Sequence, residues 1–217
     1  MRLSAYAFKK GTRRNAIAID PSFIKKSGKC TPYMGSFCSG YAGAVKRGFK
    51  ILGIGVVNVD LHECMMLKAV QTTLDKDKEN NDMSLYDRYV KVLSNNKQIL
   101  QRITSVLVAD SAFSKKPFID NMLGIGFNVI SRLRHDAALY YLWDGEPTGK
   151  SGHPRVKGEK IDFKNIDKSK VAILNTDKSN EQVYALKAWC KSLHRKISLV
   201  IHILPKGGHR LYFSNDV

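Results

Sequence analysis

Three apolar runs in this chain each stop at an aspartate: Ala16-Ile17-Ala18-Ile19 at Asp20, ILGIGVVNV over 51–59 at Asp60, and SVLVA at Asp110. Short apolar runs rich in β-branched side chains suit strands of a covered sheet, and nearly unbroken ones such as 51–59 suit strands buried on both faces. The chain is therefore expected to be built on a sheet with carboxylates at its strand ends. Asp20 stands apart from the other two. It is the only acidic residue in the first fifty positions, against 11 Lys and Arg, a net of +10. A lone carboxylate among cations is a poor solubilising charge. It suits a polyanionic partner, and a carboxylate among phosphates needs a metal ion between them.

Composition points the same way. At 217 residues and 43% hydrophobic, the chain can bury a core as one domain, or as one domain with a subdomain. A net charge of +17 favours nucleic acid. A membrane is disfavoured: no apolar stretch approaches the ~20 residues a spanning helix needs, and no basic amphipathic helix stands out. The start, MRLSAYAFKKGTRR, lacks the apolar core of a secretory signal and reads as a basic lead-in over 1–14, so a cytoplasmic protein is expected. Cys30, Cys38, Cys64 and Cys190 contain no Cys-x-x-Cys pair, which argues against structural zinc and a disulfide framework and for reduced, mostly packed thiols. On a strand His62 and Cys64 would share a face, but only as a pair, short of the ligands zinc requires.

The first strand is expected to end at Asp20, because Pro21 cannot continue a helix or a central strand. Gly28, Gly35, Gly40 and Gly43 suggest turns and a hairpin before the 51–59 strand. DKDKENND, over 75–82, reads as a loop. Ser84 with Asp87 forms a capping-box-like start to a helix whose apolar stripe is Leu85, Tyr89, Val92, Leu93, Ile99 and Leu100. A strand over Val106–Ala109 leads to Asp110, Ser114 suits the cap of a helix over 115–123, and Gly124 and Gly126 close it before a strand at Phe127–Ile130. After residue 135 the texture changes. Gly, Pro and Lys crowd 145–158, and strands are expected at Lys170–Leu174, Val183–Leu193, Ile197–Leu204 and His209–Phe213, with Pro205-Lys206-Gly207-Gly208 as a meander link.

If the strands before Asp20 and Asp110 are sheet neighbours, both carboxylates emerge at one edge. They then repel unless a cation lies between them, and hard oxygen ligands suit Mg²⁺ or Mn²⁺. Asp60 competes for the same role, and a loop-starting or helix-capping aspartate is the structural alternative for each. Lys25, Lys26, Lys29, Lys46 and Arg47, with Lys50, flank the first strand and hairpin. Lys115 and Lys116 follow Asp110, and Arg132 and Arg134 follow a strand. As a group they suit contacts to DNA phosphates. Tyr140, Tyr141 and Trp143 could stack on an unpaired base, but core packing is the stronger reading for them and for Trp189.

The segments AIAIDPSFIKKSGK, VKRGFKILGIGVVNVD followed by CMMLKAVQT, VADSAFSKKPFID and GFNVISRLRHDAALYYL resemble DDE-type transposases of bacterial insertion sequences, from residue 15 to the end of the chain. The resemblance implies an α/β fold: a ribonuclease H-like mixed sheet with flanking helices over 15–135, then a β-rich insertion subdomain over 136–217. It makes Asp20 and Asp110 the first two metal-binding catalytic acids of a site for two Mg²⁺ (or Mn²⁺) ions, and leaves Asp60 without a catalytic match. It implies hydrolysis of a phosphodiester at an element end, attack of the freed 3′-hydroxyl on target DNA, duplex DNA as partner, a DNA-bridged homodimer and a place at the bacterial nucleoid. The family's third acid is a Glu on a helix of the form Tyr-x-x-Arg-x-x-x-Glu. No such pattern occurs here, and the later acids Asp162, Asp177, Glu181 and Asp216 fall in expected loops or strands. The chain therefore reads as a catalytic-core fragment, inactive on its own. The rival readings are a non-catalytic DNA-binding remnant and another ribonuclease H-like nuclease.

Overall fold

The computed structural model describes residues 14–28, 31, 33–39, 43–72, 83–146, 154–174 and 181–217. The loop expected over 75–82, Lys29, Cys30, Gly40 and Asp177 lie outside the described residues. The chain forms two compact units, one running to Val108 with Gly124–Phe127, the other comprising Ala109–Leu123 and Asn128–Val217.

The first unit contains β1 (Asn15–Lys25), β2 (Gly35–Ser39), β3 (Ala44–Asn58), β4 (Glu63–Gln71), helix α1 (Leu85–Gln101) and β5 (Val106–Val108). β1 lies antiparallel to β3 along its whole length and parallel to β5 at Ile17↔Leu107 and Ala18↔Val108, which makes the sheet mixed. β2 and β4 pair with successive stretches of β3. One face of this sheet is core: Ile17, Ile19, Leu52, Ile54, Val56 and Leu107 are all fully or nearly fully buried. α1 is tied to it where Lys68, opposite Ile54, donates to Asn96 at 3.0 Å.

Local rules account for α1. Ser84 accepts from the Asp87 N–H while Asp87 accepts from the Ser84 N–H, the reciprocal box that satisfies two otherwise orphaned donors. The buried stripe is Tyr89, Leu93, Asn96 and Leu100. Ile99, expected within it, is exposed, and Asn96 takes a core position because its amide bonds the Val92 carbonyl and Lys68.

Two expectations fail here for one reason, the edge. β1 does not stop at Pro21. It runs to Lys25, because β5 pairs with it only at Ile17 and Ala18, so past that point a missing N–H on that side leaves no ladder bond unmade. The 51–59 run is not covered on both faces. Burial alternates along β3, with Leu52, Ile54, Val56 and Asn58 buried and Ile51, Gly53, Gly55 and Val57 half-exposed. β4, which the sequence does not announce, is exposed along most of its length. His62 sits in the β3–β4 turn at φ 53°, so it shares no strand face with Cys64. Cys38 and Cys64 are exposed rather than packed, and Cys190 is buried.

The second unit opens with a 3₁₀ turn (Ser111–Phe113) and α2 (Lys116–Gly124). Its strands are β6 (Asn128–Leu133), β7 (Leu139–Leu142), β8 (Lys157–Lys160), β9 (Ala172–Leu174), β10 (Gln182–Cys190), β11 (Arg195–Ile203) and β12 (His209–Ser214). They order as β6-β12-β11-β10-β7-β8, with β9 on β10. The expected β10–β11–β12 meander is present, its last link turning through Gly207 and Gly208 at φ 86° and 83°, where glycine adopts the left-handed backbone without a Cβ clash. Ser114 does not cap α2. Its hydroxyl donates to the Arg132 carbonyl at 2.7 Å and contacts Ser131 Oγ. The expected strand at 170–174 begins as a 3₁₀ turn over Lys168–Lys170, and the one at 183–193 ends at Cys190. Tyr141 is buried with its hydroxyl accepting from the Asp167 N–H, Arg155 lies over the Trp143 ring at 3.9 Å, and Lys157 lies over both Tyr140 and Trp189, so these aromatics are packing. The fold is α/β and ribonuclease H-like, a mixed sheet with flanking helices followed by a β-rich region.

Candidate active site

Asp20 occupies the face of β1 opposite the core. Ile17 and Ile19 point inward, so the two-residue period sends Ala18, Asp20 and Ser22 outward. Asp20 is exposed and lies across from Gly53 of β3. A Cβ built on Gly53 would meet the Asp20 carbonyl at 3.3 Å and the Met66 side chain at 3.5 Å, so glycine keeps the space beside the carboxylate open. That space is a groove of about 560 Å³ in which Asp20 meets Ala18, Gly53, Gly55, Met65 and Met66. The Asp20 side chain makes no hydrogen bond or ion pair to a described residue.

Asp110 begins the 3₁₀ turn of the second unit. Its backbone is extended (φ −71°, ψ 175°), and its Oδ1 accepts from the Ala112 N–H at 3.0 Å. Its carbonyl accepts from Ser131 Oγ at 2.8 Å, and Ser131 is buried. The capping role anticipated as the structural alternative is therefore real. It also fixes the residue, because a side chain with one oxygen held by the backbone loses rotamer freedom.

Asp60 is spent on structure. Arg14 donates to it from its backbone N–H and from its guanidinium, each at 2.7 Å, and these bonds hold the carboxyl below its ordinary range. The acids considered for a third position are no better placed. Asp162 caps its own turn through the Lys164 N–H, Glu181 precedes β10, and Asp216 follows β12. Among the described residues no three His, Cys, Asp or Glu side chains form a cluster able to hold a metal.

The basic residues separate into two kinds. Lys25, Lys26, Lys46 and Arg47 crowd the far end of the β1–β3 ladder, where the Lys26 N–H bonds the Arg47 carbonyl. Lys25, Lys26 and Arg47 are exposed and Lys46 half-exposed. Phe23, stacked on Phe37 at 4.1 Å under Lys50, stiffens this arm. In the second unit, Lys116 bonds Asp120 one helical turn on, and Arg195 bonds the same carboxylate. Arg134 is held in a fork by Asp136, whose carboxyl is thereby lowered. Arg132 and Lys115 are exposed.

In the first unit an aspartate of β1 stands beside a glycine-floored groove, and in the second an aspartate is locked at the start of a turn. A family model described as DDE superfamily endonuclease matches residues 2–195. The chain belongs to that family. A search of curated proteins gives no match. Membership implies a nuclease-type activity on DNA, and nucleases of this superfamily generally use divalent metal ions. No helix among the described residues is long and apolar enough to cross a membrane.

Sequence reasoning missed two features of this DDE-superfamily chain. The groove was legible in the Gly-x-Gly of 53–55, since glycines inside a strand mark close approach or open space. The second is the turn Lys191-Ser192-Leu193-His194 between β10 and β11, where the sequence predicts a strand continuing to Leu193. A run of polar, cationic residues there, after the alternation of β10 stops, was the signal.

Proposed function

We propose that Asp20 and Asp110 act as a carboxylate pair for divalent-metal-dependent cleavage of DNA, followed by strand transfer at the ends of an insertion sequence. The observation that carries this is a register. Ala18 of β1 pairs in parallel with Val108 of β5, and each aspartate lies two residues beyond its paired position. Side chains alternate with period two, so Asp20 returns with Ala18 to the outward face of β1. Two carboxylates that share one site repel unless a cation lies between them. Their donor chemistry fits a hard ion: oxygen only, with no thiolate or imidazole. When bound, a divalent ion supplies charge neutralisation at the scissile phosphate and acidifies a water.

The chain's own residues do the rest. Asp110 is oriented by the Ala112 N–H, so it enters the site with its entropy already spent. Gly53 and Gly55 leave depth beside Asp20 for a sugar-phosphate. Lys25, Lys26, Lys46, Arg47, Lys115 and Arg132, with Lys29, supply phosphate contacts independent of sequence. Lys116 and Arg134 contribute less, because each already serves a carboxylate. A DNA-bridged homodimer at the nucleoid is the working form.

The test is cleavage of a duplex carrying terminal repeats, with Mg²⁺ and with EDTA. Metal-dependent nicking that falls more than about 100-fold in Asp20→Ala and in Asp110→Ala supports the pair, this being the scale of losing one preorganised charge-stabilising group. Binding by the wild type with no cleavage under any divalent ion identifies a DNA-binding remnant instead.

A further inference from the structure

The β10–β11 turn is built more firmly than a connecting turn requires. Leu193 is wholly buried, the Lys191 N–H donates to the Ala138 carbonyl at 3.1 Å, and the His194 N–H to the Lys191 carbonyl at 3.3 Å. His194 is held at φ 51°, a left-handed backbone that non-glycine residues seldom adopt and that persists only where surrounding contacts impose it. The side chains so fixed, Lys191, Ser192 and His194, are exposed and line a pocket of about 570 Å³. Its other wall carries Lys115 and Arg134, with Ser111 next to Asp110. Asp136 is the one acid on this lining, and Arg134 already neutralises it. The volume is that of a small-ligand site. Its chemistry, two ammonium groups on separate elements with an imidazole and serine hydroxyls between, is that of a phosphate receptor.

We infer that this pocket is a phosphate subsite, seating one backbone phosphate of the DNA strand presented to Asp110, with Lys191 and His194 as its fixed wall and Lys115 opposite. The inference rests on the DNA-cleaving reading for its partner, but its evidence lies wholly within the second unit. The pinned turn is what separates this subsite from a solvated basic face. A lysine on a rigid turn gives up less entropy in meeting a phosphate than one on a mobile loop, and it sets register along the strand.

The experiment is duplex binding by the whole chain, read by fluorescence anisotropy across a salt series in EDTA, so that cleavage plays no part. Each phosphate contact adds about 0.9 to the slope of log K against log salt. Lys191→Ala is expected to lower that slope by about one and weaken binding several-fold at low salt, with His194→Ala adding to it. Lys206→Ala, in the β11–β12 turn at the other end of β11, is the control and should change the slope less. A slope unchanged in the Lys191→Ala/His194→Ala double variant overturns the subsite, as does an equal drop for Lys206→Ala. The melting temperature of each variant is checked first, and all replace exposed side chains while leaving Leu193 in place. Because the readout is binding, failed cleavage with a lost slope sinks the catalytic reading and keeps the subsite, and the reverse result does the opposite.

Discussion

Asp20 lies within the β1–β3 ladder and Asp60 just beyond its end, each after the same kind of apolar run, yet their surroundings have nothing in common. Asp60 lies just past the end of β3, where Asn58 pairs with Asn15, and Arg14, just before β1, closes on it. Asp20 lies mid-ladder, and its cross-strand neighbour is a glycine. What a carboxylate after an apolar run can do is therefore set by its neighbour on the adjoining segment. A guanidinium consumes the charge, while a glycine leaves it available and makes room for a substrate.

The sharpest way to break this contrast is to neutralise each aspartate without changing its size. Asp20→Asn should reduce metal-dependent DNA cleavage by more than about 100-fold while leaving the melting temperature nearly unchanged. Asp60→Asn should leave cleavage within about twofold, since Asp60 supplies structure on an exposed edge. Equal loss in the two variants would mean that the neighbouring residue does not decide the role.

Next come the glycines of β3, which the same comparison divides. A Cβ on Gly48 would lie 2.1 Å from the Ile24 carbonyl, so Gly48→Ala must push two strands apart and should cost about 1–3 kcal/mol in chemical denaturation. Gly53→Ala meets only ordinary or slightly tight contacts and should stay within about 1 kcal/mol of wild type. Gly53→Leu, however, fills the space beside Asp20 and should lower cleavage by up to about 100-fold, the scale of an ångström of misplacement. Gly48 would then be read as a packing glycine and Gly53 as a site glycine, two positions the sequence presents alike.

Much of this was legible in the residues because local rules dominate there. The Ser84–Asp87 box, the strand before Asp110 and the meander through Gly207-Gly208 rest on capping, alternation and turn chemistry, and the structure shows each. What sequence reading missed depends on neighbours that a linear pattern does not reveal. Pro21 is tolerated because β5 is short, Ser114 turns away from α2 because Ser131 and Arg132 lie within reach, and the outer face of β3 stays half-open because β4 adds an edge rather than a cover. The same holds at the site. Asp20 and Asp110 could be nominated from strand ends, but the glycine opposite one and the amide holding the other required the register.

Ser84 gives a smaller effect and a check on the reading of α1. Ser84→Ala removes the acceptor for the Asp87 N–H and half of the reciprocal pair, and should cost about 1 kcal/mol without touching cleavage, since no site residue lies on this helix. A loss of DNA cleavage at unchanged stability would mean that α1 positions β5 more directly than its contacts suggest.

The smallest effect is also the one with a sign to verify. Bonds from the Arg14 backbone and guanidinium lower the Asp60 carboxyl in the folded chain. A group whose folded value is depressed contributes stability that is fully present above its unfolded value, near 4, and is lost as pH falls through the lower folded value. Asp60→Asn should therefore flatten the wild-type decline in stability below about pH 4 and leave the neutral-pH plateau almost unmoved, because the pair is exposed and screened by salt. Asp136, lowered by Arg134, and Asp167, lowered by its hydrogen bonds from Ser169, contribute with the same sign and supply the residual slope in the variant. An acid limb unchanged in Asp60→Asn would show that the Arg14 bonds do not steepen it, and that a guanidinium beside this carboxylate does not consume its charge.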